Sequence, residues 1–506
     1  MLAAIRSAAV VGIDAYDVTV EVDAAQGLPQ WIIVGLPAGA VKESRERVGA
    51  AIVNSGFTVP PRRITVNLAP ADTKKEGTAF DLPIALGILV ATGQLEPGAV
   101  DNRIFVGELS LDGAVRNIRG ALSIARHVGR AAPGSVLVVP PANHVEAGRV
   151  TNISLAAPVT LRELVLQLRS DDLLVGRASE LASAPRGYDV DFSDVVGQES
   201  AKRALEVAAA GSHNLILIGP PGAGKTMLAR RLPTILPDLS EEEALEVIAI
   251  HSVAGVLSPE ITLGARPFRA PHHSISGAGL IGGGSSPRPG EVSLAHNGVL
   301  FLDEMLEFSR GVLDGLRQPL EDASVVIARA AMSVSFPARF TLVGATNPCP
   351  CGRAGEPGRK CSCGAAEVAK YAARMSGPLT DRIDMHVPVG AVALRDLSAD
   401  AADGDGSSQM RDRVGHARCA QRTRYRTLRG VTCNAHVPGR WLDRHTPIDP
   451  EARALLHSAA SALELSARAY HRVLKVARTI ADLGCDEKLS APHVAEALRY
   501  RPSARK

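Results

Sequence analysis

The residues best suited to chemistry form a glycine-rich segment near the middle of the chain. It lies between the apolar run Leu215–Ile218 and a helix-forming stretch, and it consists of Gly219, Pro220, Pro221, Gly222, Ala223, Gly224, Lys225 and Thr226. In a strand, loop and helix of this kind, backbone N–H groups and the helix N-terminus bind phosphate oxygens. We expect Lys225 to contact the β- and γ-phosphates of ATP and the Thr226 hydroxyl to coordinate Mg²⁺.

Two carboxylates and an amide follow later strands. Asp303 and Glu304 end the apolar run Val299–Leu302, and Asn347 follows the run 340–345. Asp303 is expected to hold Mg²⁺ and Glu304 to orient or deprotonate the attacking water, which implies hydrolysis. Asn347 is the candidate sensor of the γ-phosphate or of that water, and a simple turn-forming asparagine is the alternative.

Four cysteines cluster after this asparagine. Cys349 and Cys351 form one C-x-C pair, and Cys361 and Cys363 form a second in the same Gly- and Pro-containing loop. Four soft ligands suit tetrahedral zinc, and reduced free thiols are the alternative. The odd total of seven cysteines argues against a secreted disulfide framework.

Three regions must position these residues. Residues 1–169 alternate β-rich and helical stretches, which predicts an α/β domain. Residues 191–395 carry the predicted ATP site on strands separated by helices, which predicts a parallel sheet. Residues 410–506 have helical spacing and predict a small all-α domain. The segments between them are interpreted as a linker, 170–190, and a mobile loop, 396–409.

The composition is that of an ordinary globular protein. Its 506 residues are enough for two or three domains. The 56 Lys+Arg and 53 Asp+Glu leave a net charge of +3, too balanced for a surface that coats nucleic acid, although a local basic channel fits it. The longest apolar run, 82–92, is too short to span a bilayer, and no signal-peptide pattern opens the chain. We expect a cytoplasmic protein without membrane association.

The sequence around the predicted ATP site resembles AAA+ ATPases, and more narrowly the magnesium-chelatase-like branch that includes the ComM/YifB proteins. The resemblance covers nearly the whole chain and is most specific in the segments 196–198, 266–273, 287–297 and 347–352. It implies an AAA+ core with a parallel sheet and a small C-terminal helical lid domain similar to that of magnesium chelatase.

The same resemblance implies which arginines serve catalysis. Arg382 matches the arginine finger, which reaches the γ-phosphate of a neighbouring subunit, and an ion pair with Asp381 or Asp384 is the alternative. Arg468 looks like the second sensor arginine, and Arg472 lies one helical turn away as its rival. A finger that acts across subunits implies a homo-oligomer, expected to be a hexamer.

The first domain resembles the Lon-type peptidase fold in residues 75–86 and 113–122. The positions that match the catalytic serine and lysine are Ala79 and Ile118, which can neither attack a carbonyl nor accept a proton. Thr78 is the nearby hydroxyl, but it has no lysine base. We therefore expect a scaffold or binding platform without peptidase activity.

A predicted β-hairpin bears on the substrate. Residues 318–336 predict two strands with a turn near Ala330, and related ring helicases carry a hairpin here that directs a basic residue into the pore. The resemblance thus implies DNA binding by Arg329, with Arg266 and Arg269 as further candidates, and pairing with carboxylates is the alternative. Seven further arginines between 411 and 429 either track phosphates or form a solvated helix face. The pair His272 and His273 is interpreted as serving packing or polar contacts.

These features favour an ATP-driven ring motor that acts on single-stranded or branched DNA, similar to the ComM proteins that promote branch migration during recombination and DNA uptake. The alternative is a chelatase-type or chaperone-like ATPase that remodels a protein partner. Protein threading normally uses an aromatic pore loop, and the sequence offers none, which favours DNA.

Overall fold

A computed structural model describes residues 2–177, 188–284, 287–329, 332–354, 360–375, 377–391 and 405–501. The chain divides into two units: unit 1 is residues 1–184 and 240–264, and unit 2 is residues 185–239 and 265–506. Residues 178–187 of the expected linker, residues 396–404 of the expected mobile loop and the last four residues of the expected ATPase core, 392–395, lie outside the described residues.

Unit 1 is an α/β structure. Its strands are β1 (Leu2–Val11), β2 (Asp14–Ala25), β3 (Gln30–Val34), β4 (Arg63–Ala69), β5 (Arg103–Phe105), β6 (Glu108–Leu109), β7 (Val115–Arg116), β8 (Val136–Val138), β9 (Ser154–Ala156) and β10 (Val175–Arg177). Its helices are α1 (Gly39–Lys42), α2 (Ser44–Asn54), α3 (Asp81–Ala91), α4 (Ala121–Ala131), α5 (His144–Ala147), α6 (Leu161–Ser170), α9 (Glu241–Ala254) and α10 (Pro259–Thr262). The described strands form sheets of order β1-β2-β4-β3 and β10-β9-β8-β5. Helix α3 is buried along its whole length, because its residues are apolar on every side.

The assignment of α9 and α10 to unit 1 differs from the expected domain boundaries, which place them in the ATPase core. The backbone N–H of Gly120 donates to the Ser252 hydroxyl at 2.8 Å, and Ser252 also hydrogen-bonds the buried carboxylate of Glu146. Helices α9 and α10 lie between segments of the ATPase core in the sequence. Ser252 of α9 nevertheless contacts Gly120, which precedes α4, and Glu146 of α5.

Unit 2 is built around a five-stranded parallel sheet of order β12-β15-β18-β11-β19. Its strands are β11 (Leu215–Ile218), β12 (Phe268–Arg269), β15 (Val299–Leu302), β18 (Thr341–Thr346) and β19 (Met385–Pro388). The residues of β15 and β18 are all buried, because helices cover both faces of such a sheet and its strands are apolar on both sides.

The remaining elements of unit 2 surround this sheet. Its helices are α7 (Glu199–Gly211), α8 (Lys225–Ile235), α11 (Gly277–Ile281), α12 (Glu291–Leu294), α13 (Arg310–Gly315), α14 (Arg317–Asp322), α15 (Ala365–Ala372), α16 (Gly377–Thr380), α17 (Ser407–Tyr425), α18 (Gly439–His445), α19 (Pro450–Ala462), α20 (Ala467–Leu483) and α21 (Ala491–Arg499). Two small antiparallel pairs are β13 (Gly282–Gly283) with β14 (Arg288–Pro289) and β16 (Ser324–Arg329) with β17 (Met332–Pro337). The predicted fold class is confirmed, including the helical C-terminal region. No helix of the described residues is long and apolar enough to cross a bilayer.

Four of the seven arginines between 411 and 429 are engaged inside unit 2. Arg411 and Arg418 donate to backbone carbonyls of Thr234 and Ala209. Arg413 pairs with Glu206, and Arg424 pairs with Asp482. The sequence offered a phosphate track or a solvated face, and for these four side chains the contacts favour helix packing instead.

Candidate nucleotide site and arginine cavity

The glycine-rich loop follows the carboxyl end of β11 and leads into α8. Gly222 and Gly224 have φ values of +80° and +83°, in the left-handed region that favours glycine. A Cβ at Gly219 would lie 2.1 Å from the carbonyl oxygen of Val389. The glycines are therefore required by the turn and by a close backbone approach, and the loop leaves its N–H groups at the helix N-terminus.

Lys225 is the cation of this loop. Its ammonium donates to the carbonyl oxygens of Gly219 and Pro220 at 2.7 and 2.8 Å and to Asn347 Oδ1 at 3.2 Å. Burial lowers the pKa of Lys225, while the nearby carboxylates of Asp303 and Glu304 oppose that shift. The sequence separates Lys225 from Asn347 by more than a hundred residues, and the sheet brings them into contact because β18 and β11 are parallel neighbours.

The acidic pair lies beside the same loop. The Thr226 hydroxyl donates to Asp303 Oδ2 at 2.8 Å, so the two oxygens expected to bind Mg²⁺ are adjacent. Glu304 has a φ of +48°, an uncommon conformation for a residue with a side chain. Its carboxylate is largely exposed and lies 3.8 Å from His273 Nδ1. These groups fit ATP with Mg²⁺: a cation and N–H groups for phosphate, adjacent oxygens for the metal, and a solvent-facing carboxylate.

The candidate finger and sensor arginines lie at the other edge of the sheet. Arg382, Arg468 and Arg472 line a cavity of about 550 Å³. Asn214, which precedes β11, and Asp384, which precedes β19, also line it. In a parallel sheet the amino ends of the strands share one edge and the carboxyl ends share the other. We call this cavity at the amino edge the arginine cavity.

Arg382 has an ion-pair partner that the sequence did not indicate. It pairs with Glu321 rather than with Asp381 or Asp384, and its Nη1 donates to the Pro378 carbonyl at 2.6 Å. Arg472, the rival sensor, lies 3.4 Å from Asp384. Arg468 is exposed at the start of α20.

The four cysteine sulfurs converge. Cys349 Sγ lies 3.3 Å from Cys351 Sγ and 3.6 Å from Cys361 Sγ, and all four sulfurs, with Cys363, lie within 4.8 Å of one another. Ligands 2.3 Å from a tetrahedral zinc ion are about 3.8 Å apart, so the cluster has the dimensions of a zinc site. The cluster also adjoins the nucleotide loop, because a Cβ at Gly352 would lie 2.6 Å from Pro221 Cδ.

The three candidate DNA-binding arginines differ in their surroundings. Arg329 is exposed at the end of β16, directly before the hairpin turn, and has no ion pair with a described residue. The turn, residues 330–331, lies outside the described residues. Arg266 donates to the backbone carbonyls of Pro237 and Asn297. Arg269 forms two hydrogen bonds, of 2.6 and 2.8 Å, with the carboxylate of Glu291. These contacts favour structural roles for Arg266 and Arg269.

The region of unit 1 that matches the peptidase site is occupied by structural contacts. Ile118 is buried, and its backbone is held by the Asn143 side chain. Ala79 accepts a backbone hydrogen bond from Gly107, and Thr78 donates to the carboxylate of Glu108.

Beside these residues, Asp81 is buried. Burial raises the pKa of Asp81 to about 6, even though the Arg47 guanidinium at 2.8 Å favours the charged form. The pair joins α2 to α3 and provides neither a nucleophile nor a lysine base.

Three residues near the site were missed or undervalued from sequence. His273 was expected to serve packing or polar contacts without a functional role, and its ring nitrogen lies 3.8 Å from the carboxylate of Glu304. The Gln198 side chain donates to the carbonyls of Ala223 and Gly390 and so ties the nucleotide loop to the end of β19. Glu321 had no sequence signal, because the hairpin, strand β18 and helices α15 and α16 separate it from Arg382 in the chain.

A parallel sheet with a phosphate-binding loop after β11, an asparagine after β18 and an acidic pair after β15 defines a P-loop ATPase of the AAA+ class. Family models agree over most of the chain. "Magnesium chelatase, subunit ChlI" matches residues 191–397, "Subunit ChlI of Mg-chelatase" matches residues 20–143, and "Magnesium chelatase, subunit ChlI C-terminal" matches residues 404–501.

Full-length relatives narrow the assignment. The uncharacterized protein YifB of Escherichia coli is 42% identical over 500 residues, 99% of this chain and 97% of that protein. Competence protein ComM of Haemophilus influenzae is 41% identical over 508 residues, 100% of this chain and 98% of that protein. Lon protease 2 of Bacillus subtilis is 32% identical over 190 residues, 31% of this chain and 33% of that protein. The chain belongs to the magnesium-chelatase-like AAA+ ATPases of the ComM/YifB family.

Proposed function

We propose that this protein is an ATP-hydrolysing motor that acts on DNA as a ring of identical subunits. Lys225 and the loop N–H groups hold the phosphates, while Thr226 and Asp303 hold Mg²⁺, which supplies charge neutralisation at the phosphates when bound. Glu304 orients or deprotonates the attacking water, and Asn347 contacts the γ-phosphate or that water.

The observation that carries the DNA proposal is Arg329. Arg329 is exposed and has no ion-pair partner among the described residues, and it is the last residue of β16 before the hairpin turn. An unpaired arginine suits a phosphate, whereas Phe336, the hairpin's aromatic residue, is buried and offers nothing to a threaded peptide. One full-length relative is named a competence protein, and a DNA substrate agrees with that name.

The arginine cavity supports assembly into a ring. Because Arg382, Arg468 and Arg472 lie at the edge of the sheet opposite Lys225, they serve catalysis only if they meet the nucleotide of another subunit. We propose that Arg382 is the finger, that Arg468 or Arg472 is the second sensor, and that the ring is a hexamer. Each nucleotide then lies between the loop of one subunit and the arginine cavity of the next.

We further propose that Cys349, Cys351, Cys361 and Cys363 bind a structural zinc ion. The sulfur separations fit tetrahedral coordination. Backbone N–H groups of Ala354 and Cys363 point to Cys349 Sγ and Cys361 Sγ at 3.3 and 3.4 Å and so support thiolate charge. The ion would fix the loop between Asn347 and α15 against the nucleotide loop.

A DNA-binding experiment tests the central proposal. Binding of fluorescent single-stranded and branched DNA is measured across a salt series for the wild type, Arg329→Ala and the control Arg453→Ala, which removes an exposed arginine of α19. We expect Arg329→Ala to weaken binding and to reduce the salt slope by about one phosphate contact per subunit. A slope equal to that of the wild type and the control would contradict a role for Arg329.

A further inference from the structure

The residues at the base of the hairpin that carries Arg329 form part of the wall of the arginine cavity. Glu321 and Ala323, which precede β16, and Ala338 and Arg339, which follow β17, all line that cavity. The Ala338 N–H donates to the Ala323 carbonyl at 2.8 Å and closes the base of the hairpin. A displacement of the hairpin strands is therefore transmitted to the cavity wall without an intervening loop.

Glu321 and the Pro378 carbonyl together engage the two terminal nitrogens that Arg382 would use on a phosphate. Arg382 Nη2 is paired with the Glu321 carboxylate, and Arg382 Nη1 donates to the Pro378 carbonyl at 2.6 Å. A guanidinium binds phosphate through paired N–H groups on one edge. In this arrangement both terminal nitrogens of Arg382 already have other partners. The Arg382 side chain is 13% exposed, whereas that of Glu321 is 49% exposed.

The negative charge of Glu321 makes it a competitor of the γ-phosphate for Arg382. The hydrogen bond and charge of Arg382 lower the pKa of Glu321, with smaller contributions from Arg468 and Arg472, so Glu321 is an anion at neutral pH. A γ-phosphate that approaches Arg382 is repelled by the Glu321 carboxylate, because both are negatively charged. The two groups also compete for the same guanidinium nitrogen. Full contact between finger and phosphate thus requires Glu321 to withdraw.

We propose that Glu321 is a positioning residue that holds Arg382 back from a neighbouring subunit's γ-phosphate until DNA engages the hairpin. The proposal rests on the proposed function, because it assumes that Arg382 is the finger and that Arg329 contacts DNA. Glu321 lies three residues before Ser324, the first residue of β16. Tension on the hairpin therefore acts directly on the turn of α14 that carries the carboxylate.

The test uses the full-length protein and steady-state ATPase rates with and without branched DNA. Glu321→Gln keeps the shape of the side chain and removes its charge, and Glu321→Ala removes the group altogether. Asp322→Asn is the matched control, because Asp322 is the adjacent exposed acid and does not line the cavity. We expect both Glu321 variants to raise the DNA-free rate by up to about fivefold, as loss of one partly exposed ion pair allows. DNA should then stimulate them little, while Asp322→Asn behaves as the wild type.

A double variant links the two ends of the hairpin. If Glu321 transmits the signal from Arg329, adding Arg329→Ala to Glu321→Gln should produce no further change in the DNA-dependent rate. An unchanged DNA-free rate with full stimulation in both Glu321 variants would overturn the proposal, as would independent effects in the double variant. Full activity of Arg382→Ala would instead overturn the finger, and with it the proposed function on which this inference rests.

Discussion

Lys225 and Arg382 lie at opposite edges of one parallel sheet. Lys225 follows the carboxyl end of β11, and Arg382 precedes the amino end of β19, whose Met385 pairs with Leu215 of β11. Four residues of strand span about 13 Å. A phosphate held by Lys225 would therefore be separated from Arg382 of the same subunit by the length of the sheet, and this is why the proposed function assigns the finger to a neighbouring subunit.

This separation predicts complementation between inactive subunits. Arg382→Ala should retain ATP binding, because its nucleotide loop is intact. It should lose hydrolysis, because no finger then contacts the γ-phosphate bound by the neighbouring subunit. Glu304→Gln should also be inactive, yet a mixture should regain part of the activity, since an intact Glu304 site then meets an intact Arg382. ATPase rates at several mixing ratios provide the measurement, and rates at or below the sum of the separate variants at every ratio would exclude a shared site.

The roles within one nucleotide loop can also be separated. Lys225→Ala should abolish ATP binding, because it removes the cation expected to contact the phosphates. That ammonium lies between the loop carbonyls and Asn347. Glu304→Gln should bind ATP and reduce turnover on the order of 10²- to 10⁴-fold, the usual effect of losing a general base. Calorimetric binding and phosphate release distinguish the two, and normal turnover in either variant would be incompatible with its assigned role.

The nucleotide site was largely predictable because its signals are local. Leu215–Ile218 and Val299–Leu302 are apolar runs bounded by functional residues, and parallel strands bring such ends to one edge. The membership of residues 240–264 in unit 1 depends on contacts with Gly120 and Glu146, which no local pattern reveals.

Arginine partners are equally nonlocal. Arg269 is a DNA candidate from sequence, and the structure pairs its guanidinium with Glu291, 22 residues away, a contact that no local pattern indicates. Arg382 could be matched to a finger, but its partner Glu321 could not be read from spacing. Sequence indicates where charge is available, whereas the fold decides which charges remain unpaired.

The cysteine cluster predicts a metal-dependent stability. Cys361→Ser should reduce bound zinc from about one ion per chain and lower the thermal midpoint, because metal binding is coupled to folding of the loop. The control is Cys419→Ser, since Cys419 is exposed and lies outside the cluster. Elemental analysis with thermal unfolding measures both quantities, and a purified wild type without stoichiometric zinc would favour free thiols.

Unit 1 should show no acyl-enzyme chemistry. The resemblance to Lon proteases implies that Ala79 and Ile118 match the catalytic serine and lysine, and the Thr78 hydroxyl donates to the carboxylate of Glu108. A fluorophosphonate probe should label the protein no more than it labels Thr78→Ala. Specific labelling of Thr78 in the folded wild type, detected by peptide mass spectrometry, would restore a catalytic role to this unit.

The most direct test of an ATP-driven DNA motor is the ATPase rate of the wild type with and without single-stranded and branched DNA across a salt series. A DNA motor of this kind predicts stimulation by DNA that declines as salt rises, because salt weakens phosphate contacts. It also predicts that Arg329→Ala loses the stimulation and that Lys225→Ala has no rate to stimulate. A wild-type rate that is independent of DNA at every salt concentration, with Lys225→Ala inactive, would contradict the DNA motor while leaving the ATPase in place.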